Sequence, residues 1–159
     1  MSSILKVDKI QNAAGTTGLT IDSDGVLLKP NVPAFYGYKT TIQTAAAADE
    51  ICTWTESLDR GGNFNNGVFT CPVDGLYFFS CVWLSTNDSL QSDVHLYKND
   101  VIASRSRNAG VFGHETTTIN YVGLFDADDT VYIGIPVVGH AVYGDTGLYW
   151  STFMGHLIG

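Results

Sequence analysis

The segment that most constrains the fold is Gly67–Ser80, which reads Gly-Val-Phe-Thr-Cys-Pro-Val-Asp-Gly-Leu-Tyr-Phe-Phe-Ser. Val68–Cys71 is rich in β-forming residues, and Leu76–Phe79 begins a second apolar run. Between them, Pro72 fixes its own φ and Gly75 can adopt a positive φ, which favours a reversal of the chain. The pattern predicts two strands joined by a tight turn, a β-hairpin.

The composition favours an all-β domain that forms contacts between subunits. The 159 residues fit one domain with a short extension. Glycine and aromatic residues are frequent and helix-forming runs are few, which is typical of all-β proteins. Hydrophobic residues make up 45% of the chain and charged residues only 15%. So few charges suggest that part of the surface is covered by other subunits.

Charge and hydropathy argue against two classes of partner. The net charge is −8 and the basic residues are scattered, whereas nucleic-acid binding depends on clustered Lys and Arg. No segment approaches the ~18 apolar residues of a membrane span, and the amino terminus lacks the pattern of a signal peptide. We therefore expect neither nucleic-acid binding nor membrane insertion.

The three cysteines, Cys52, Cys71 and Cys81, form an odd and sparse set. This usage indicates thiols packed as small hydrophobic groups in a protein made in a reducing cytoplasm. The alternative, a Cys71–Cys81 disulfide, would need an oxidising compartment.

The sequence divides into two zones, residues 1–32 and 33–159, separated near Pro30 and Pro33. The first zone contains short alternating runs that cannot bury a face on their own, so we predict an extended arm that docks onto a partner. Its apolar residues are the predicted docking contacts: Leu5, Val7, Ile10, Leu19, Ile21, Val26 and Leu28.

The second zone reads as about 8–10 short antiparallel strands with turns between them, which is typical of a β-sandwich. The strands are predicted at Ala34–Lys39, Ile51–Trp54, Gly67–Cys71, Leu76–Leu84, Asp93–Lys98, Val101–Ser104, Thr116–Phe125, Thr130–Val137 and Leu148–Ile158. A helical turn could form at Ala45–Ala48, although the run is too short for a stable helix.

Four blocks of the second zone resemble one known family. They are Asn63–Ser80, Val94–Asn99, Leu124–Tyr132 and Ser151–Ile158. In this order they are similar to the globular head of complement's q subcomponent, which is related to the tumour necrosis factor fold. The third block departs from the family, which usually has glycine before its acidic pair. The resemblance implies a jelly-roll β-sandwich that forms homotrimers, with aromatic side chains along the threefold axis, and that is not an enzyme.

The first zone resembles a different group. Ser3–Asn12 and Gly18–Gly25 are similar to the start of short virion structural proteins of marine and cyanobacterial tailed phages. The combined interpretation is a phage virion structural protein, a homotrimeric knob assembled in the host cytoplasm. Its arm would anchor it to a capsid protein, as a decoration or cement protein, or to a head or tail fibre. The alternative is a tip module of a tail fibre that binds a host receptor or glycan.

Candidates for chemistry are few. The four histidines lack zinc-finger spacing, no Cys-x-x-Cys occurs, and the sequence contains no Gly-x-Ser-x-Gly. Asp126, Asp128 and Asp129 place three carboxylates close together and are candidate calcium ligands, although a solvated turn explains them more simply. We therefore expect no catalytic residue and no cofactor, and bound calcium is the alternative that these residues leave open.

Surface recognition has its own candidates in two glycine-flanked segments. Phe112 and His114 flank Gly113, and Tyr143 and Asp145 flank Gly144. Exposed aromatic residues with polar neighbours suit contacts with carbohydrate or protein. Contacts within a trimer explain the same residues equally well.

Overall fold

The computed structural model of the chain describes residues 7–86, 92–108 and 114–159. Every regular element in these ranges is a β-strand. None of the described residues forms a helix long and apolar enough to cross a membrane. The chain divides into two compact units, Met1–Val32 and Pro33–Gly159.

The first unit contains a three-stranded antiparallel sheet in the order β1-β2-β3. Its strands are β1 (Lys9–Gln11), β2 (Thr17–Ile21) and β3 (Leu27–Leu28). Side chains close both turns: the Asn12 carboxamide oxygen accepts the N–H groups of Ala14 and Thr16, and Asp22 does the same for Asp24 and Val26. Asn and Asp favour turns for this reason.

The second unit contains thirteen strands in the described residues, of which nine have three or more residues. This agrees with the prediction of about 8–10, since the other four are two-residue pairings. The strands are β4 (Ala34–Tyr38), β5 (Gln43–Thr44), β6 (Glu50–Ile51), β7 (Thr55–Arg60), β8 (Phe64–Asn65), β9 (Val68–Thr70), β10 (Gly75–Leu84), β11 (Ser92–Lys98), β12 (Val101–Asn108), β13 (Thr116–Phe125), β14 (Thr130–Ile135), β15 (Ala141–Val142) and β16 (Thr152–Leu157).

Two antiparallel sheets form the jelly-roll sandwich. The first has the order β13-β10-β16-β4-β7, and the second has the order β12-β11-β14-β9-β8 with β6 paired to β14. Phe35, Phe69, Phe79 and Phe153 are buried between them. The Phe35 ring lies 4.8 Å from Phe69 and 4.9 Å from Phe153, at the separations that aromatic pairs prefer. The all-β jelly-roll prediction is confirmed.

The predicted hairpin at Gly67–Ser80 is wrong in one respect. Both strands exist as β9 and β10, but they do not pair with each other. β9 pairs with β8 and β14, whereas β10 pairs with β13 and β16. The segment around Pro72 therefore passes from one sheet to the other. Each strand buries its alternate side chains in the shared core, so both satisfy the same pattern without being neighbours.

Two other strand predictions were displaced. The strand predicted at Ile51–Trp54 is replaced by the short β6 and by β7, which starts at Thr55. β7 is an edge strand whose side chains are mostly exposed, so its sequence has no apolar alternation. The last strand begins at Thr152 and not at Leu148, since Leu148–Trp150 lie exposed before it.

Candidate binding surfaces

The outer side of the first sheet carries many apolar side chains. Along β10 and β16 alternate side chains are buried in the core, and the remaining ones point away from it. The strand register places Ser80, Met154, Tyr36 and Leu58 in one row across the sheet. We call this the apolar sheet face, and its members are Tyr36, Tyr38, Leu58, Phe78, Val122, Leu124 and Met154.

Aromatic rings cluster on the apolar sheet face. Tyr38 lies 6.3 Å from Tyr36 and packs edge-on against Tyr149 at 4.5 Å, while Phe78 lies 5.6 Å from the ring of His156. Partial burial, with a smaller contribution from Tyr149 and Tyr38, raises the pKa of Tyr36. Large exposed apolar patches on protein domains generally mark contact surfaces.

A concave pocket of about 470 Å³ lies where β10 ends and β13 begins. It is lined by Leu84, His114, Thr116, Tyr143, Leu148 and Trp150. His114 has a positive φ of 64°. Its ring packs edge-on against Tyr143 at 5.2 Å. Two residues predicted to take part in recognition are thus brought together.

A carboxylate contacts Tyr143, one of the residues that line this pocket. The Tyr143 hydroxyl donates to Asp145 Oδ2 at 3.2 Å. Desolvation and this hydrogen bond raise the pKa of Tyr143. Of the four predicted recognition residues, Asp145 thus contacts Tyr143, which itself packs against His114. The fourth, Phe112, lies outside the described residues. Leu148 and Trp150 were missed because their sequence was assigned to the last strand.

Two residues at or just after the end of β11 hold the acidic turn between β13 and β14. Lys98 Nζ lies 2.7 Å from Asp129 Oδ2, and Asn99 Nδ2 donates to Asp129 Oδ1 at 2.6 Å. The hydrogen bonds from Lys98 and Asn99 lower the pKa of Asp129 to about 2. In the described ranges no three acidic, histidine or cysteine side chains form a group that could hold a metal ion, and this includes Asp126, Asp128 and Asp129.

The predicted docking residues of the first unit remain accessible. Ile10, Ile21, Val26 and Leu28 are exposed, and Val7 and Leu19 are half-buried. Leu5 lies outside the described residues. Leu27, which was not predicted, is also exposed. The outer edges of β1 and β3 carry no further strand within residues 7–32.

The burial of the three thiols makes them unreactive. Cys52, Cys71 and Cys81 are free and buried, so no Cys71–Cys81 disulfide forms. Desolvation raises the pKa of Cys52 and Cys71 to about 12, and raises that of Cys81 as well. Because the thiolate is the reactive species, these cysteines are poor nucleophiles.

Comparison with known proteins gives a consistent result. The family model described as "C1q domain" matches residues 34–158. The globular domain of the zebrafish complement 1qA protein is 19% identical and superposes with a TM-score of 0.65, covering 80% of this chain and 98% of that one. Murine APRIL is 11% identical with a TM-score of 0.65, covering 80% and 99%.

These structural likenesses show a shared fold, and the family model covers most of the chain. C1q and tumour necrosis factor-like domains commonly form homotrimers and are typically non-enzymatic ligand-binding modules. The earlier resemblance of the second zone is therefore confirmed at the level of the family. From the match over residues 34–158 and the jelly-roll topology, we conclude that this chain belongs to the C1q domain family.

Proposed function

We propose that the protein is a non-enzymatic virion structural protein of a phage, a homotrimeric knob anchored to the particle by its amino-terminal unit. The apolar sheet face carries the trimer part of this proposal. Met154 is exposed and Tyr36 and Phe78 are half-buried, all on the outer side of the first sheet in a single chain. A threefold arrangement would bury three copies of this face around one axis, which accounts for the low charge content.

The phage setting is supported by the resemblance of Ser3–Asn12 and Gly18–Gly25 to virion proteins. The first unit offers two features that suit anchoring: exposed aliphatic side chains, and edges of β1 and β3 that pair with no further strand within residues 7–32. A free edge can receive a strand from a capsid or fibre protein through main-chain hydrogen bonds. The proposed site of action is the virion, after assembly in the host cytoplasm, and this role needs no cofactor.

Deleting Ser2–Lys29 tests the anchoring role. The truncated chain keeps the whole jelly roll, so we expect a folded trimer by light scattering and circular dichroism that is no longer incorporated into particles. Quantitative mass spectrometry of purified particles from a complementation experiment would measure incorporation against the full-length chain. Normal incorporation of the truncated protein would show that the arm is not the anchor.

The pocket between His114, Tyr143 and Trp150 favours a second candidate, recognition of a host glycan or receptor. An exposed indole can stack on the C–H face of a sugar ring, and the neighbouring imidazole, hydroxyl and carboxylate can bond to sugar hydroxyls. Within the pocket, Trp150 and Leu148 are exposed, so a ligand could reach them in the single chain.

Replacing Trp150 with alanine tests this candidate. If the trimer binds oligosaccharides from the host surface, the variant should bind about tenfold more weakly, since loss of one aromatic stacking partner costs about 1.4 kcal/mol. Isothermal titration calorimetry would measure the change. Val101→Ala, which removes an exposed apolar side chain from β12, is the matched control. Equal affinities of both variants and the wild type would exclude the pocket as the glycan site.

A further inference from the structure

The small sheet of the first unit has two unlike sides. Its register pairs Ile10 with Leu19 and Ile21 with Leu27. Cross-strand partners point to the same side, and Leu19 and Ile21 are two residues apart on β2, so all four side chains share one side. We call this the aliphatic arm face. The other side carries two other pairs, which are Lys9 with Thr20 and Thr20 with Leu28.

Three of the four side chains of the aliphatic arm face are exposed. Ile10 is 50% exposed, Ile21 38% and Leu27 54%. A sheet of ten strand residues cannot bury this face by itself, and units this small generally need a partner to be stable. Three branched aliphatic side chains in water on one side of a sheet therefore indicate a surface that is covered in the assembled protein.

The short link between β3 and β4 indicates what covers the aliphatic arm face. Only five residues, Lys29–Pro33, separate β3 from β4, and a link this short spans at most about 20 Å. β4 carries Tyr36 and Tyr38 on the apolar sheet face, where the subunits of the proposed trimer would meet. Three arm sheets would thus be tethered by short links to strands that meet around one axis. Their effective concentration for one another would be in the millimolar range.

We infer that the aliphatic arm faces of three chains pack against one another and form a second trimeric core, separate from that of the jelly rolls. This inference rests on the proposed homotrimer and specifies how the arm takes part in it. It assigns Ile10, Leu19, Ile21 and Leu27 to contacts between copies of the chain. Leu28, Val26 and the outer edges of β1 and β3 stay available to the partner in the particle.

Single introduced cysteines in the full-length chain test the inference. Ile10→Cys and Ile21→Cys place a thiol on the aliphatic arm face, and cysteine preserves much of its apolar character. Lys9→Cys is the matched control, because Lys9 is the exposed neighbour of Ile10 on the opposite side of β1. The wild type gives the background, since its three thiols are buried.

Each variant is treated with a short bismaleimide, and covalent dimers are followed on denaturing gels while light scattering reports the oligomer. We expect the trimer in all variants, and cross-linking of Ile10→Cys and Ile21→Cys at a rate independent of protein concentration. Lys9→Cys should react at least about tenfold more slowly, because its thiols meet only between trimers.

Two failures are distinguishable. In the first, the protein is trimeric but Lys9→Cys cross-links as fast as the other two variants, or cross-linking of all three depends on protein concentration. Either result overturns the inference and leaves the proposed trimer intact. A monomeric wild type overturns the proposed trimer and the inference together.

Discussion

Replacing Gly155 with valine is expected to prevent stable folding of the jelly roll. Gly155 lies on the inner side of β16, the central strand of the first sheet. A Cβ atom there would lie 2.4 Å from Phe79 Cδ1 and 2.7 Å from Phe35 Cε1. Both rings are buried and belong to one aromatic cluster, so neither can move without displacing further rings. We expect a loss of about 3 kcal/mol or more in the free energy of unfolding.

The measurement is thermal unfolding followed by circular dichroism, together with the soluble yield. Gly159→Val is the matched control, because a Cβ atom added there meets no heavy atom within 4 Å. The control should melt close to the wild type, whereas Gly155→Val should melt far lower or fail to accumulate. A Gly155→Val protein with the melting temperature of the control would mean that the ring cluster is looser than its contacts indicate.

The positions of the strands could be predicted from the sequence better than their pairing. Strands such as β10 and β13 were located correctly because each is a long run of apolar and other β-forming residues. Pairing was harder, since the β9–β10 segment satisfies the hairpin pattern while its strands lie in different sheets. Local alternation records which side of a strand is buried. It does not record which strand lies beside it.

The candidate site residues could likewise be predicted only in part. His114 and Tyr143 were predicted from their glycine-flanked context, and they do meet in one pocket. Trp150 lines the same pocket, but the sequence predicts it to lie in the last strand. Aromatic residues are common in strands, so Leu148–Trp150 cannot be told from the strand that follows them. Leu27 was missed because only the register with Ile21 reveals the side of the arm sheet on which it lies.

Replacing Met154 with glutamate is expected to convert the proposed trimer to monomers without unfolding the chain. Met154 lies in the middle of the apolar sheet face, beside Tyr36 and Ser80 in the strand register. It is exposed in the single chain, so a carboxylate there stays hydrated in a monomer. In a trimer three carboxylates would be buried near one axis, each with a desolvation penalty of several kcal/mol. Three such penalties oppose the apolar contacts of the rest of this face, which favours separate monomers.

Light scattering over a range of protein concentrations measures the oligomer, and circular dichroism checks the fold. Met154→Gln separates charge from shape, because glutamine has nearly the same length and no charge. It should keep most of the trimer, as an uncharged amide costs far less to desolvate. Val101→Glu, on the edge strand β12 of the other sheet, should leave the trimer unchanged. If Met154→Glu stays trimeric at the lowest concentrations, the subunits meet elsewhere. If Met154→Gln dissociates as fully, the contact depends on the shape of Met154 and not on exclusion of charge.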